Sequence, residues 1–271
     1  MSNDWAKLQD IIPTYVEKVR AELSDRWRVW SVNLAQAELH EVIGSLLARQ
    51  VTLATQLASA PSIWNAHMAP IVLRSMTDVH ITLAWILGDP WDRAKKFILY
   101  GLGQEKLVLE HRKAQAKEDG RDPGQDPIVT AGEVWLSSQR FAFLTGVNVG
   151  SWSGLQVRDM AQEAGCLDLY RYAYLPFSAA THSMWHHTSR LNLEYCENPL
   201  HRYHRVPIDP DLDVDPDYLY RAARYVEKAF RLFDATFALQ PEAPSALGWL
   251  ANSLDRLRST DQEADDELAP E

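Results

Sequence analysis

Cysteine is almost absent from this sequence: Cys166 and Cys196 are the only two in 271 residues. One available pair in a chain of this length is no disulfide framework, and no CxxC spacing points to zinc. Glycine and proline are sparse as well, 12 and 14 residues, so turn signals fall in only a few places. No stretch between them alternates apolar and polar residues for long, which removes the pattern of a sheet protein. No window comes near 18 uncharged apolar residues, so no ordinary membrane-spanning helix is expected. Residues 1–10 carry Asp4, Lys7 and Asp10 where an export signal would need an apolar run. Together these absences predict a cytoplasmic protein that does not enter a membrane.

What is present is a core and an uneven charge. Hydrophobic residues make up 46% of the chain, enough to bury a full-sized interior. The net charge is −10, and residues 259–271 alone hold six acids and no bases. That composition predicts a solvated, disordered acidic tail behind a body, residues 1–258, of only mildly negative charge. Such a body lacks the clustered cations that bulk duplex DNA binding requires, while a local RNA or phosphate site remains compatible with it.

Helical periodicity organises the body. Pro13 stands near the first turn of a pattern running from about residue 14 towards 59, with a break expected near Ser24 and Asp25. Its second half places Leu39, Val42, Ile43, Leu46, Leu47, Leu53 and Leu57 on the stripe of a packed helix. Pro61 ends it. Pro70 opens a helix over 71–87, and Gly88-Asp89-Pro90 closes it with strong stop signals. Helices follow over 91–118, 131–144 and 154–164, separated by loops over 119–127 and 145–153. A long helix over 168–194 should kink at Pro176. Residues 198–216 read as irregular chain, and the last helices cover 217–239 and about 244–257. No internal repeat is visible. The expected fold is all-α, a single bundle of six to eight helices with irregular loops, and no motif calls for a cofactor.

Three segments carry residues with chemical potential. The helix over 71–87 is apolar nearly all round, so it should be buried, and Arg74, Asp78 and His80 then need partners. Arg74 and Asp78 are four apart and can face each other, either as an ion pair fixing the helix or as the lining of a site. Over 168–187, Tyr170, Tyr174, Ser178, His182 and His186 recur every four residues and form one polar and aromatic stripe. His182 and His186, one turn apart, could share a metal ion if His40, Glu41, Asp78 or His80 supplied a third ligand. The plain alternative is histidines hydrogen-bonded to tyrosine and carboxylate. The third segment is basic: His201-Arg202-Tyr203-His204-Arg205, then the row Arg221, Arg224, Lys228 and Arg231. Interleaved with Tyr203, Tyr218, Tyr220 and Tyr225, these could hold a phosphate or a stacked base. A solvated helix face is the simpler account of such a row.

Two likenesses follow from these residues. Arg74 and His80 match the arginine-x(4–6)-histidine signature of the helical HEPN ribonucleases in spacing. Six residues apart on a helix they diverge by about 120°, so a bend or a second subunit, hence a homodimer, would be needed. The stretches Leu73-Arg74-Ser75-Met76-Thr77-Asp78 through Trp85-Ile86-Leu87, and Trp152-Ser153-Gly154-Leu155 with Gly165, Tyr170, Tyr174, Ser178 and His182, resemble a family of uncharacterised, mostly bacterial all-helical proteins. The likeness covers about residues 60–190. It implies a helical bundle and a polar cluster of Arg74, Asp78, Tyr174, Ser178 and His182, with aspartate at position 78 where the family commonly has glutamate. The expected function is an accessory or effector component in a defence or toxin-like setting. Two alternatives stand beside it: a metal-independent ribonuclease using His80 or His182 with Arg74, and a metal-binding bundle centred on His182 and His186.

Overall fold

The computed structural model describes the backbone of residues 2–139 and 150–267, with side chains for Leu8, 10–139 and 150–256. Helix accounts for well over half of these residues. The helices are α1 (Ser2–Val29), α2 (Ala37–Ala58), α3 (Ala69–Gly88), α4 (Pro90–Glu118), α5 (Pro127–Ser138), α6 (Val157–Glu163), α7 (Leu167–Leu169), α8 (Leu175–Thr181), α9 (Trp185–Leu191), α10 (Asp217–Phe237) and α11 (Ala246–Glu267). Among the described residues the only sheet is a hairpin, β1 (Leu193–Tyr195) against β2 (Arg205–Pro207). The all-α class is as the sequence implies.

The interior forms where α2, α3 and α10 pack on one another. On α2, Leu39, Val42, Ile43, Leu46, Leu47 and Leu57 are buried and Leu53 is partly so, which is the stripe read from the sequence. On α10, Leu219, Ala222, Ala223, Val226, Ala229, Phe230 and Phe233 face inward at helical spacing, leaving the basic row outside. Trp64, fully buried between α2 and α3, donates its indole N–H at 2.7 Å to Leu57 O in the last turn of α2, a carbonyl that also accepts the Ala60 N–H at 3.2 Å. Around this centre, α1 and α11 pack together, α1 also touches α2, and α11 also touches α10. Helices α6 and α8 lie against α3, and α4 runs from α2 and α3 outward to carry α5. Asp126 caps α5 by accepting the N–H groups of Ile128 and Val129. Gly132 lets α5 lie close on α4: a Cβ there would stand 2.6 Å from Leu109 Cδ2.

One buried polar network ties the two ends of the chain together. Arg26 on α1 donates Nε and Nη2 to the Asp234 carboxylate of α10 at 2.8–3.2 Å and Nη1 to Glu22 at 3.1 Å. Its guanidinium lies 4.1 Å over the Phe230 ring. The other Glu22 oxygen accepts the N–H of Ala246 at the start of α11. Glu22 is 2% exposed, and burial pushes its carboxyl above the usual range while Ala246 N–H and Arg26 oppose it.

Several boundaries differ from the sequence reading. Helix α1 begins well before residue 14, with Pro13 inside it, and passes unbroken through Ser24 and Asp25. The Asp25 carboxylate accepts the backbone N–H groups of Glu242 and Ala243 in the loop before α11. The break comes instead after Val29, where Asn33 caps a single 3₁₀ turn over Leu34–Gln36. The backbone of α11 continues to Glu267, into the segment expected to be a disordered tail. The packing of 257–267, and everything at 140–149 and 268–271, lies outside the described residues, and with it residues 140–144 of the expected 131–144 helix and 145–149 of the expected 145–153 loop; α5 runs from Pro127 to Ser138. Helix α3, which carries Arg74 and Asp78, has a window of mean hydropathy 1.2 and is long and apolar enough to cross a membrane by length and composition alone. Half of that window is buried inside the protein.

Candidate functional site

The residues singled out between 168 and 187 sit on a helix of varying pitch. Pro176 has no N–H to give, and its ring would collide with the carbonyl four residues back in a regular helix. The chain responds with a π-helical turn over Tyr170–Tyr174, in which Leu175 N–H bonds to Tyr170 O, five residues back. Such widened turns concentrate at functional sites. Within it Tyr170 and Tyr174 stay stacked, with ring centroids 5.0 Å apart.

Against this turn lies Arg74 of α3. Its Nε donates to Ser178 Oγ at 2.9 Å, and Ser178 Oγ donates in turn to Tyr174 O at 2.7 Å. The guanidinium lies over the Tyr174 ring with Cζ 3.2 Å from the centroid, and Nη1 stands 3.6 Å from the Asp78 carboxylate. Arg74 is thus fixed by an aromatic face, a hydroxyl and a carboxylate from two elements. Burial raises the Asp78 carboxyl above its usual range, with Arg74 pulling it back, and burial likewise raises the Tyr174 phenol. The sequence places this pair in the interior. In the structure the Arg74 side chain is 13% exposed but that of Asp78 is 50% exposed, so the pair lies at a rim. Arg74→Ala is therefore expected to cost about 1–2 kcal/mol, the loss of one stacked contact and one hydrogen bond, because water takes over the Asp78 carboxylate. Urea denaturation measures it. A loss of about 3–5 kcal/mol would instead mean a stranded buried carboxylate.

His80 and His182 do not join this cluster. His80 is 3% exposed, and among the described residues its buried Nδ1 has no hydrogen-bond partner. The nearby Lys228 of α10 adds to burial in holding its imidazole neutral. Arg74, by contrast, bonds towards α8, so the two halves of the ribonuclease-like spacing make no contact. His182 is exposed just past α8, and among the described residues its ring meets no hydrogen-bond or ionic partner. The expected one-turn pairing of His182 with His186 is corrected too. Helix α8 stops at Thr181, Ser183 turns the chain with a left-handed φ of 48°, and Met184 N–H bonds back to Ala179 O. His186 lies in the first turn of a different helix, α9, so the two imidazoles do not share a helix face. Nor do the named third ligands converge on them: His40 is held between Trp27 and Trp30, at centroid distances of 3.9 and 4.4 Å, and Asp78 faces Arg74.

The other face of the π turn borders a groove of about 620 Å³ against α10. Tyr172, 77% exposed, and Tyr225 stand beside Arg221, Arg224, Lys228 and Arg231. Arg221 and Arg231 are each held by a carboxylate one turn earlier, Asp217 and Glu227. Among the described residues, Arg224 and Lys228 have no such partner and, four apart, share a face of α10. The sequence named the basic row; only the fold brings Tyr172 opposite it.

The class these observations define is that of all-α helical bundles, here with an arginine held at the rim and, beside it, a groove that Tyr172, Tyr225, four cations and the acids Asp168, Asp217 and Glu227 line. Residues 40–198 match a family of unknown function (DUF5677), and the chain belongs to that family. The resemblance read over about residues 60–190 is to this kind of uncharacterised helical family, and the match bears it out. No curated protein and no solved structure matches the chain. The matched span holds the whole Arg74 cluster and the π turn but ends before α10.

Proposed function

We propose that this chain is an accessory or effector component that binds single-stranded RNA in the groove between the π turn and α10. The observation that carries the reading is the pair Arg224 and Lys228, two cations on one helix face with no carboxylate partner among the described residues, across the groove from the exposed ring of Tyr172. A backbone phosphate fits between such cations, and a base stacks on an aromatic face whatever its sequence. The Arg74 cluster supports the groove from behind, because stacking on Tyr174 and bonding to Ser178 fix the turn that carries Tyr172. The reading is one of binding without cleavage, since the buried His80 is not placed to reach a ligand in the groove. A cytoplasmic, defence or toxin-like setting is proposed with it, on the strength of the family likeness alone.

Fluorescence anisotropy with a labelled ten-nucleotide RNA tests this. Reversing both charges in Arg224→Glu with Lys228→Glu is expected to weaken binding by at least about ten-fold. It should also flatten the salt dependence by about 1.4 in log K against log salt, the signature of two lost single-strand phosphate contacts. Tyr172→Ala should weaken binding by roughly five-fold or more, the worth of one stacked base. Equal affinity of the charge-reversed and native proteins would overturn the reading. So would RNA cleavage that disappears in His182→Ala.

A further inference from the structure

We propose that the tip of the β1–β2 hairpin binds a soft divalent cation, zinc above all, through Cys196, His201 and His204. The sequence treats these histidines only as part of a basic stretch, and with no CxxC spacing nothing draws Cys196 to them. The strand register does. Leu193 pairs with Pro207, Glu194 with Val206 and Tyr195 with Arg205. The next step of the same ladder sets Cys196 opposite His204, with Cys196 N–H donating to His204 O at 3.1 Å. Cross-strand partners project on the same side of a hairpin. The connecting loop then folds back on itself: Leu200 N–H bonds to Asn198 Oδ1, His201 N–H to Asn198 O, and His204 N–H to His201 O, all at 2.9–3.0 Å. These bonds bring His201 over the same point.

The donor atoms of the three side chains lie within 4.8 Å of one another. Cys196 Sγ and His201 Nδ1 are 3.7 Å apart. Sulfur and nitrogen ligands at opposite corners of a tetrahedral zinc, with bonds of about 2.3 and 2.0–2.1 Å, stand about 3.6 Å from each other. That pair already has the spacing of two ligands, and His204 needs a side-chain rotation of about an ångström to complete the set. The outer nitrogen of His201 lies 3.4 Å from Asn198 Nδ2, a side-chain neighbour of the sort that orients metal-bound imidazoles. One thiol and two imidazoles, with no carboxylate among them, suit zinc rather than calcium or magnesium. Three protein ligands leave a fourth position for water or an added ligand. Binding displaces the thiol proton of Cys196 and any proton on the two rings, so affinity falls as the solution is acidified.

The site is independent of the RNA reading: its ligands lie on the hairpin, not in the groove. The test uses full-length protein without a histidine tag, stripped with chelator and titrated with cobalt(II), then with zinc against a chromophoric competitor. One equivalent of cobalt is expected, with a thiolate-to-metal charge-transfer band that Cys196→Ser removes. His201→Ala and His204→Ala should each weaken zinc binding by at least about ten-fold, with an unchanged far-ultraviolet circular dichroism spectrum. His182→Ala with His186→Ala should leave binding untouched. Absence of stoichiometric metal, a His204→Ala protein that binds as the native one does, or binding that instead follows His182 and His186 would each overturn the proposal.

Discussion

Replacing Arg26 by alanine is expected to remove about 3–5 kcal/mol of folding stability, the cost of leaving a buried carboxylate without its cation. Arg26 is the centre of the network that joins α1 to α10 and α11, and no water reaches Glu22 to replace it: Glu22 is 2% exposed and its second oxygen is already bonded to the Ala246 N–H. The loss also removes the guanidinium from the Phe230 ring and the three bonds to Asp234. The pH dependence has a definite sign. Burial already raises the Glu22 carboxyl, and without Arg26 it rises further. A carboxyl raised in the folded state favours folding in its protonated form, fully so below its unfolded pKa, and that contribution disappears as the pH rises through the folded value. The deficit of the variant is therefore smallest in acid and grows towards neutral pH. Urea denaturation of both proteins across the acid range checks it. A deficit under about 1 kcal/mol at neutral pH would show that the network is solvated, as at an exposed pair.

Acid should unfold this protein through His80. Burial, with Lys228 as the lesser cause, pushes its imidazole down to about 4. In the unfolded chain the ordinary value is about 6.5, so the neutral ring favours the folded state above that pH. The contribution is lost as the pH falls from about 6.5 towards 4, and its full size is about 3 kcal/mol. His80→Leu should remove that part of the acid sensitivity. At neutral pH the variant should be as stable as the native protein or more so, because Nδ1 of His80 is a buried polar atom with no partner among the described residues. Denaturation at pH 7 and pH 4.5 for both proteins gives the comparison. Equal losses on acidification in the two would exclude His80 as the sensor.

The two predictions concern residues that the sequence treats very differently. His80 draws attention because it stands in a helix apolar on nearly every side, a pattern that implies burial whatever the fold. Glu22 and Arg26 look like an ordinary surface pair four residues apart, and nothing local says that α10 and α11 close over them. The Arg74 cluster falls between these cases. Its spacing with Asp78, and the recurrence of Tyr174 and Ser178 every four residues, are local and were legible. That the cluster lies at a rim, with Asp78 half exposed, depends on what packs against α3.

By itself the sequence determined the helical class, the family, the stripe of α2 and the stop at Gly88-Asp89-Pro90, because helical periodicity and the backbone limits of glycine and proline act within a few residues. Helix ends without such residues were decided by the tertiary structure. Helix α8 stops at a left-handed Ser183 and α10 at a left-handed Ala238, φ 52°, and neither residue type signals a stop. The first of these stops leaves His182 just past the end of α8 and His186 on α9. The same dependence on long-range pairing brought Cys196, His201 and His204 together and set Tyr172 across from Arg224 and Lys228. Those sites are made by register and packing between segments distant along the chain, and such contacts have no period that a single sequence can display.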